Sequence, residues 1–142
     1  MNTGDTVFMF VTTVMVMLMT PGLALFYGGM VRSKNVLSTT MHSYSAMAIV
    51  SIQWIVIGYS LSFGPDWHGL IAPNPDYSST IPHNLFMMFQ LMFAILTPAL
   101  ISGAFAERMR FSAFLIFILL WTTIVYNPVA HWVWGVGGWL RE

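Results

Sequence analysis

The chain has 142 residues, 57% of them hydrophobic and only 7% charged, against roughly 25% charged in an average soluble domain. Five basic and five acidic residues leave no net charge, which argues against attraction to nucleic acid, and so few charges cannot coat this much apolar surface with a water-compatible rind. The solvent is therefore lipid, and the absence of cysteine removes disulfides, thiol catalysis and thiolate metal sites together.

The chain opens on MNTGDT, which carries neither a basic region nor a small-residue cleavage site ahead of the first apolar run. That run is expected to stay in the mature protein. Four charge-free stretches then follow one another: Thr6 to Val31, Asn35 to Pro65, Tyr77 to Ala106 and Phe111 to Leu140. Each exceeds the ~20 residues a helix needs to cross the hydrocarbon core. Lipid offers no partner to a backbone amide, and these segments are too apolar on every face for alternating barrel strands. The pattern predicts an all-α polytopic membrane protein with four transmembrane helices near 6–31, 38–63, 84–106 and 111–132. Residues 1–142 read as one membrane domain or part of one, with no low-complexity tract and no short repeat.

Arg32, Lys34, Arg108 and Arg110 all fall in the turns between spans one and two and between spans three and four. The loop over 64–82, "GPDWHGLIAPNPDYSSTIP", carries Asp66 and Asp76 but no lysine or arginine. The positive-inside rule makes the two basic turns cytoplasmic. The N-terminus, the loop 64–82 and the chain beyond Trp134 are then expected outside. Arg141 is the one basic residue on that side, next to Glu142 in sequence.

Along span three, Phe89 and Phe93 are four residues apart and share a helix face. Both lie toward the outer end of that span, and Trp134 ends span four on the same side. Three rings at one mouth could hold a small cation through their quadrupoles, roughly 0.5–2 kcal/mol each. The competing reading is that phenylalanine and tryptophan at a membrane interface are ordinary anchors. Of the histidines, His68 and His83 belong to the outer loop and its border and are expected to be solvated. His42 lies near the inner end of span two, where it could face a neighbouring helix. His131 is expected to bond a partner helix. Pro21, Pro98 and Pro128 interrupt three spans, each removing a backbone donor. Small residues at Gly22, Gly28, Gly29, Ser102, Gly103 and Ala104 suit close helix approach. Glu107 and Arg108 are expected to pair at a helix junction. No nucleophile–base set, metal-ligand cluster or phosphate loop is visible, so neither enzyme chemistry, metal nor cofactor is expected.

Four blocks, "PGLALFYGGMVRSKNVLS", "FQLMFA", "ALISGAFAERMRFSAFLIF" and "YNPVAHWVWG", resemble consecutive blocks of the Amt/Mep/Rh ammonium transporter family, in order, over nearly the whole chain. The Amt branch is the nearer, because the phenylalanine pair and the tryptophan both match. The resemblance implies a homotrimer whose subunits each have about eleven transmembrane helices and an apolar pore, with the N-terminus outside the cell membrane. It implies that Trp134 and Phe89 bind the ammonium ion and that Phe89 and Phe93 form the pore gate. Ammonium would be recruited at the aromatic mouth and ammonia conducted beyond it, with a PII-type signalling protein as a possible cytoplasmic partner. The family's pore histidines and an aspartate-bearing segment lie beyond "GVGGWLRE", so the chain reads as an incomplete fragment, and His131, which precedes the tryptophan motif, is not one of those histidines. Two alternatives stay open: an ammonium sensor of the same family, and a four-helix structural membrane subunit.

Overall fold

A computed structural model describes residues 1–64 and 77–141. The stretch expected to form the outer loop, with Asp66, His68 and Asp76, lies mostly outside the described residues, as does Glu142. The described elements, in chain order, are α1 (Thr3–Met30), a 3₁₀ turn (Ser33–Asn35), α2 (Val36–Gln53), α3 (Tyr59–Phe63), α4 (His83–Phe105), α5 (Phe111–Trp121) and α6 (Asn127–Trp134). A π-helical segment, Trp54–Gly58, joins α2 to α3, and a second, Thr122–Tyr126, joins α5 to α6. Four continuous helical spans result, Thr3–Met30, Ser33–Phe63, His83–Phe105 and Phe111–Trp134, all long and apolar enough to cross a membrane.

The ends of these spans differ from the hydropathy pattern where capping intervenes. Span one starts at Thr3 because the Asn2 side chain accepts the Gly4 N–H at 2.9 Å, satisfying one of the donors a helix start leaves open. Span three stops at Phe105, ahead of Glu107, whose φ of 64° breaks the helical course. Span four runs on to Trp134 and closes where the Gly135 N–H meets the His131 carbonyl at 2.8 Å. Gly138 follows so closely that a Cβ there would lie 2.3 Å from the His131 oxygen, leaving room only for glycine.

Span two is central. Its α2 half packs against α1, α4 and α5, and its α3 end packs against α6. The core accordingly lies among spans two, three and four, built on Val50, Trp54, Tyr59, Phe63, Leu91, Ile95, Phe114 and Ile118. Span one joins from the side through a stripe of small or slim residues, Thr13, Thr20, Ala24 and Gly28, while Phe8, Phe10, Leu18 and Leu25 remain exposed on its other faces. Membrane helices associate through close packing where lipid gives no hydrophobic drive, and two glycines serve it. At Gly28 a Cβ would come within 3.2 Å of Thr40 Oγ1, and at Gly103 within 2.6 Å of Tyr27 Cζ. Gly22 and Gly29, by contrast, face open space.

The prolines do not break their spans. Pro21 and Pro98 sit inside continuous helices. Pro128 comes at the start of α6, directly after a π segment where Thr122 and Thr123 donate their hydroxyls to the Ile118 and Leu119 carbonyls. Those side-chain bonds serve carbonyls around the widened turn.

Candidate functional site

The two ends of the bundle are chemically distinct. At one end the Asn2 N–H donates to the Thr80 carbonyl at 2.7 Å, and the Val136 N–H donates to the Tyr77 hydroxyl. The chain start, the residues before α4 and the segment after α6 are thus gathered together. At the other end, the two basic turns meet. Glu107 Oε1 accepts the Arg32 N–H at 3.0 Å and the Asn35 side-chain amide at 2.8 Å. The charge pattern expected this grouping of ends. The partner of Glu107 differs from the expectation: among the described residues it makes no ion pair with Arg108, because the Glu107 side chain reaches across to the neighbouring turn. The Asn35 amide, the Arg32 N–H and the nearby charges of Arg32 and Lys34 hold its carboxyl below the ordinary glutamate range.

Near the first of these ends, α4 carries Phe89 and Phe93. Their ring centroids are 5.1 Å apart with an interplanar angle of 74°, so they meet edge to face. Both rings are partly exposed. One turn further along, Thr97 turns its hydroxyl back to the Phe93 carbonyl at 2.9 Å and faces a cavity of about 250 Å³. Trp121, Tyr126, Val129, Ala130 and Trp134 line the same cavity from span four. Its walls are almost wholly apolar, so it disfavours an ion and tolerates a small neutral solute.

Trp134, the last residue of α6, is 48% exposed. It stands at the rim of this cavity, whereas the described residues include no ring contact between Trp134 and Phe89 or Phe93. The structure therefore brings the two phenylalanines together directly and relates Trp134 to them through the Thr97 cavity.

A second ring cluster lies beside the pair and escaped the sequence reading. Tyr77 stacks on Phe86 at 5.4 Å and 13°, and Phe63 meets both edge on, at 5.3 and 5.4 Å. Phe86 precedes Phe89 by three residues and Phe93 by seven on α4, a helical spacing that could have nominated it. Nothing local in the sequence could have nominated Tyr77, which reaches the cluster from the segment ahead of α4.

The histidines resolve separately. His83 is not a free solvated group: its Nε2 lies 2.9 Å from the Tyr59 hydroxyl and its Nδ1 3.4 Å from Ser78 Oγ. His42 packs edge on against Phe111 and Phe114 of α5, as its position on span two suggested. His131 Nδ1 donates to the Ser62 carbonyl at 3.2 Å, tying span four to span two. Among the described residues, no group of three His, Asp or Glu side chains is placed to hold a metal ion.

Comparison with known proteins converges on one family. The family model described as Ammonium Transporter Family matches residues 7–142. An ammonium transporter of Bacillus subtilis is 64% identical over 153 aligned positions, covering 100% of this chain and 38% of its own length. Ammonium transporter Amt1 of Archaeoglobus fulgidus is 44% identical, covering 100% of this chain and 37% of its own. The crystal structure of Candida albicans Mep2 superposes on 95% of this chain and 32% of its own with a TM-score of 0.83 at 34% identity. The chain thus spans little more than a third of the length of the curated relatives it matches.

Proposed function

The chain belongs to the Ammonium Transporter Family, and on that premise we propose that the protein to which it contributes recruits ammonium at an external aromatic site and conducts ammonia through an apolar path. The observation that carries this reading is the edge-to-face pair of Phe89 and Phe93 beside a cavity that Thr97 shares with Trp134. Ring faces offer a desolvating cation roughly 0.5–2 kcal/mol each. An apolar wall beyond them penalises the charged form and leaves the neutral one nearly indifferent. A metal cation, which cannot shed a proton, gains nothing by entering. In this reading Trp134 and Phe89 bind the ion, and Phe89 and Phe93 gate the path.

The same reading makes the molecule a transporter and not an enzyme, set in the cell membrane as a multi-pass protein. The turns holding Arg32, Lys34, Arg108 and Arg110 face the cytoplasm by the positive-inside rule, which leaves the N-terminus outside. Residues 1–142 form the N-terminal part of a single membrane domain, which acts as a homotrimer. A PII-type signalling protein would approach the cytoplasmic end, where Glu107 joins the two basic turns.

Expression of the full-length protein in cells lacking ammonium uptake, with labelled methylammonium as the probe, tests the proposal. Uptake is expected, and Trp134→Leu or Phe89→Ala should raise half-saturation by about 2- to 30-fold, the factor that 0.5–2 kcal/mol represents. Failure of the unsubstituted protein to take up the probe overturns the transport reading. Unchanged half-saturation in both variants removes the recruiting role.

A further inference from the structure

Tyr77 occupies a position that neither its own segment nor the phenylalanine pair explains. Its ring lies parallel on Phe86, three residues before Phe89 on α4, and Phe63 of α3 closes the box edge on. Its hydroxyl accepts the N–H of Val136, two residues past Trp134. The Arg141 guanidinium lies 5.8 Å from the centre of the same ring and donates to the Trp134 carbonyl at 3.2 Å. A further bond, from the Leu140 N–H to the Trp132 carbonyl at 3.1 Å, folds the segment after α6 back over that helix end.

A tyrosine serving only as an interfacial anchor would turn its hydroxyl to water or to a lipid headgroup. This hydroxyl instead takes a backbone donor from the turn that terminates the helix carrying Trp134. The two faces of one residue thereby touch the α4 turn leading to Phe89 and the backbone beside Trp134. No ring contact joins Trp134 to Phe89 among the described residues, so the distance between them has to be set by something else. Among the described residues, Tyr77 touches both supports.

The geometry points to Tyr77 as the positioning residue of the aromatic mouth, fixing Trp134 relative to Phe89 through its hydroxyl on the Val136 N–H and its ring on Phe86. The inference rests on the recruiting role proposed above for Trp134 and Phe89. It adds a residue that touches no substrate and acts on the ion through the spacing of those that do. Misplacing one wall of a binding site weakens capture before it alters later steps, so the expected signature is a change in half-saturation with the maximal rate retained.

The test uses methylammonium uptake by the full-length protein in cells lacking ammonium uptake, with membrane levels of each variant measured by immunoblot. Tyr77→Phe keeps the ring and removes the acceptor. It should raise half-saturation roughly three- to ten-fold, the factor of one ordinary hydrogen bond, with the maximal rate per transporter unchanged. In a Trp134→Leu background the same substitution should add less than about a two-fold change, because the residue it positions is gone. Phe86→Leu, which disturbs the stack without touching the hydroxyl, supplies a second route if Tyr77→Phe accumulates poorly, and should shift half-saturation in the same direction. Half-saturation within about two-fold of the parent in Tyr77→Phe, alongside a clear rise in Trp134→Leu, overturns the inference and leaves the recruiting reading standing. A fall in maximal rate with unaltered half-saturation marks a purely structural tyrosine and overturns it too. An unchanged half-saturation in Trp134→Leu itself overturns the recruiting role and the inference with it.

Discussion

Gly103 is where one added methyl group should be felt between spans one and three. It lies on α4 against the Tyr27 ring of α1, and a Cβ built there would come within 2.6, 2.7 and 2.9 Å of Tyr27 Cζ, Cε1 and Oη. Relieving the shortest of these to an ordinary 3.4 Å contact needs a retreat of 3.4 − 2.6 = 0.8 Å. The ring is rigid, and its hydroxyl is bonded to the Leu100 carbonyl at 3.0 Å, so that retreat stretches the bond. Overpacking costs about 1–3 kcal/mol, and loss of the hydrogen bond about 0.5–1.5 kcal/mol. Replacing a helical glycine by alanine returns roughly 0.5–1 kcal/mol in backbone entropy. Gly103→Ala should therefore destabilise the packing of spans one and three by about 0.5–4 kcal/mol. The measurement is the midpoint of thermal aggregation of detergent-solubilised full-length protein, which should fall by several degrees. A double-mutant cycle with Tyr27→Ala isolates the cause: on that background Gly103→Ala should cost nothing or be mildly stabilising. A Gly103→Ala protein as stable as its parent, or one equally damaged with and without the Tyr27 ring, refutes the close-approach argument.

Further outcomes follow from three other contacts. Glu107→Ala removes the acceptor shared by the Arg32 N–H and the Asn35 amide, so amide hydrogen exchange around 32–36 and 106–110 should accelerate while the middle of α2 stays protected; exchange left unchanged in both turns would contradict the clasp. Because the Asn35 amide and Arg32 hold the folded-state carboxyl below its ordinary value, the clasp contributes fully above the ordinary glutamate range and is lost as pH falls through the depressed value, so the unsubstituted protein should show the same local acceleration only on strong acidification. His131→Leu removes the 3.2 Å bond to the Ser62 carbonyl and should lower stability by about 0.5–1.5 kcal/mol without changing which solutes are taken up; an altered methylammonium selectivity would assign His131 a place in the path. Phe93→Ala strips one partner from the edge-to-face pair, and its effect on uptake should fall on maximal rate more than on half-saturation, in contrast with Trp134→Leu; an identical signature from both would contradict separate gating and recruiting roles.

How far the site could be read from the chain depends on the range of each signal. Four spans are legible because hydropathy is a property of a contiguous stretch, and the observed boundaries differ from the expected limits by a few residues, where Asn2, Glu107 or Gly135 adds a cap or a break and where the 3₁₀ turn Ser33–Asn35 extends the start of span two. The grouping of the two ends is legible for a similar reason, since Arg32, Lys34, Arg108 and Arg110 mark turns on one side of a helical hairpin whichever way its helices rotate. The Phe89–Phe93 pair is legible because a helix repeats its faces at fixed spacing, so contact between those rings requires no knowledge of any other span.

What lay beyond the sequence are the contacts made between spans. The partners of Glu107, His83 and Tyr77 are 72, 24 and 59 residues away in the chain, and no periodic pattern carries over such separations. Two π segments rotate the ends of spans two and four relative to a regular helix, which decides that Phe63 faces Tyr77 and that Trp134 looks onto the Thr97 cavity. In lipid the helices gain little from burying apolar surface against one another, so their rotation and crossing are set by close packing at residues such as Gly28 and Gly103. Composition and period placed the helices in the membrane; steric fit between them chose which side chains meet.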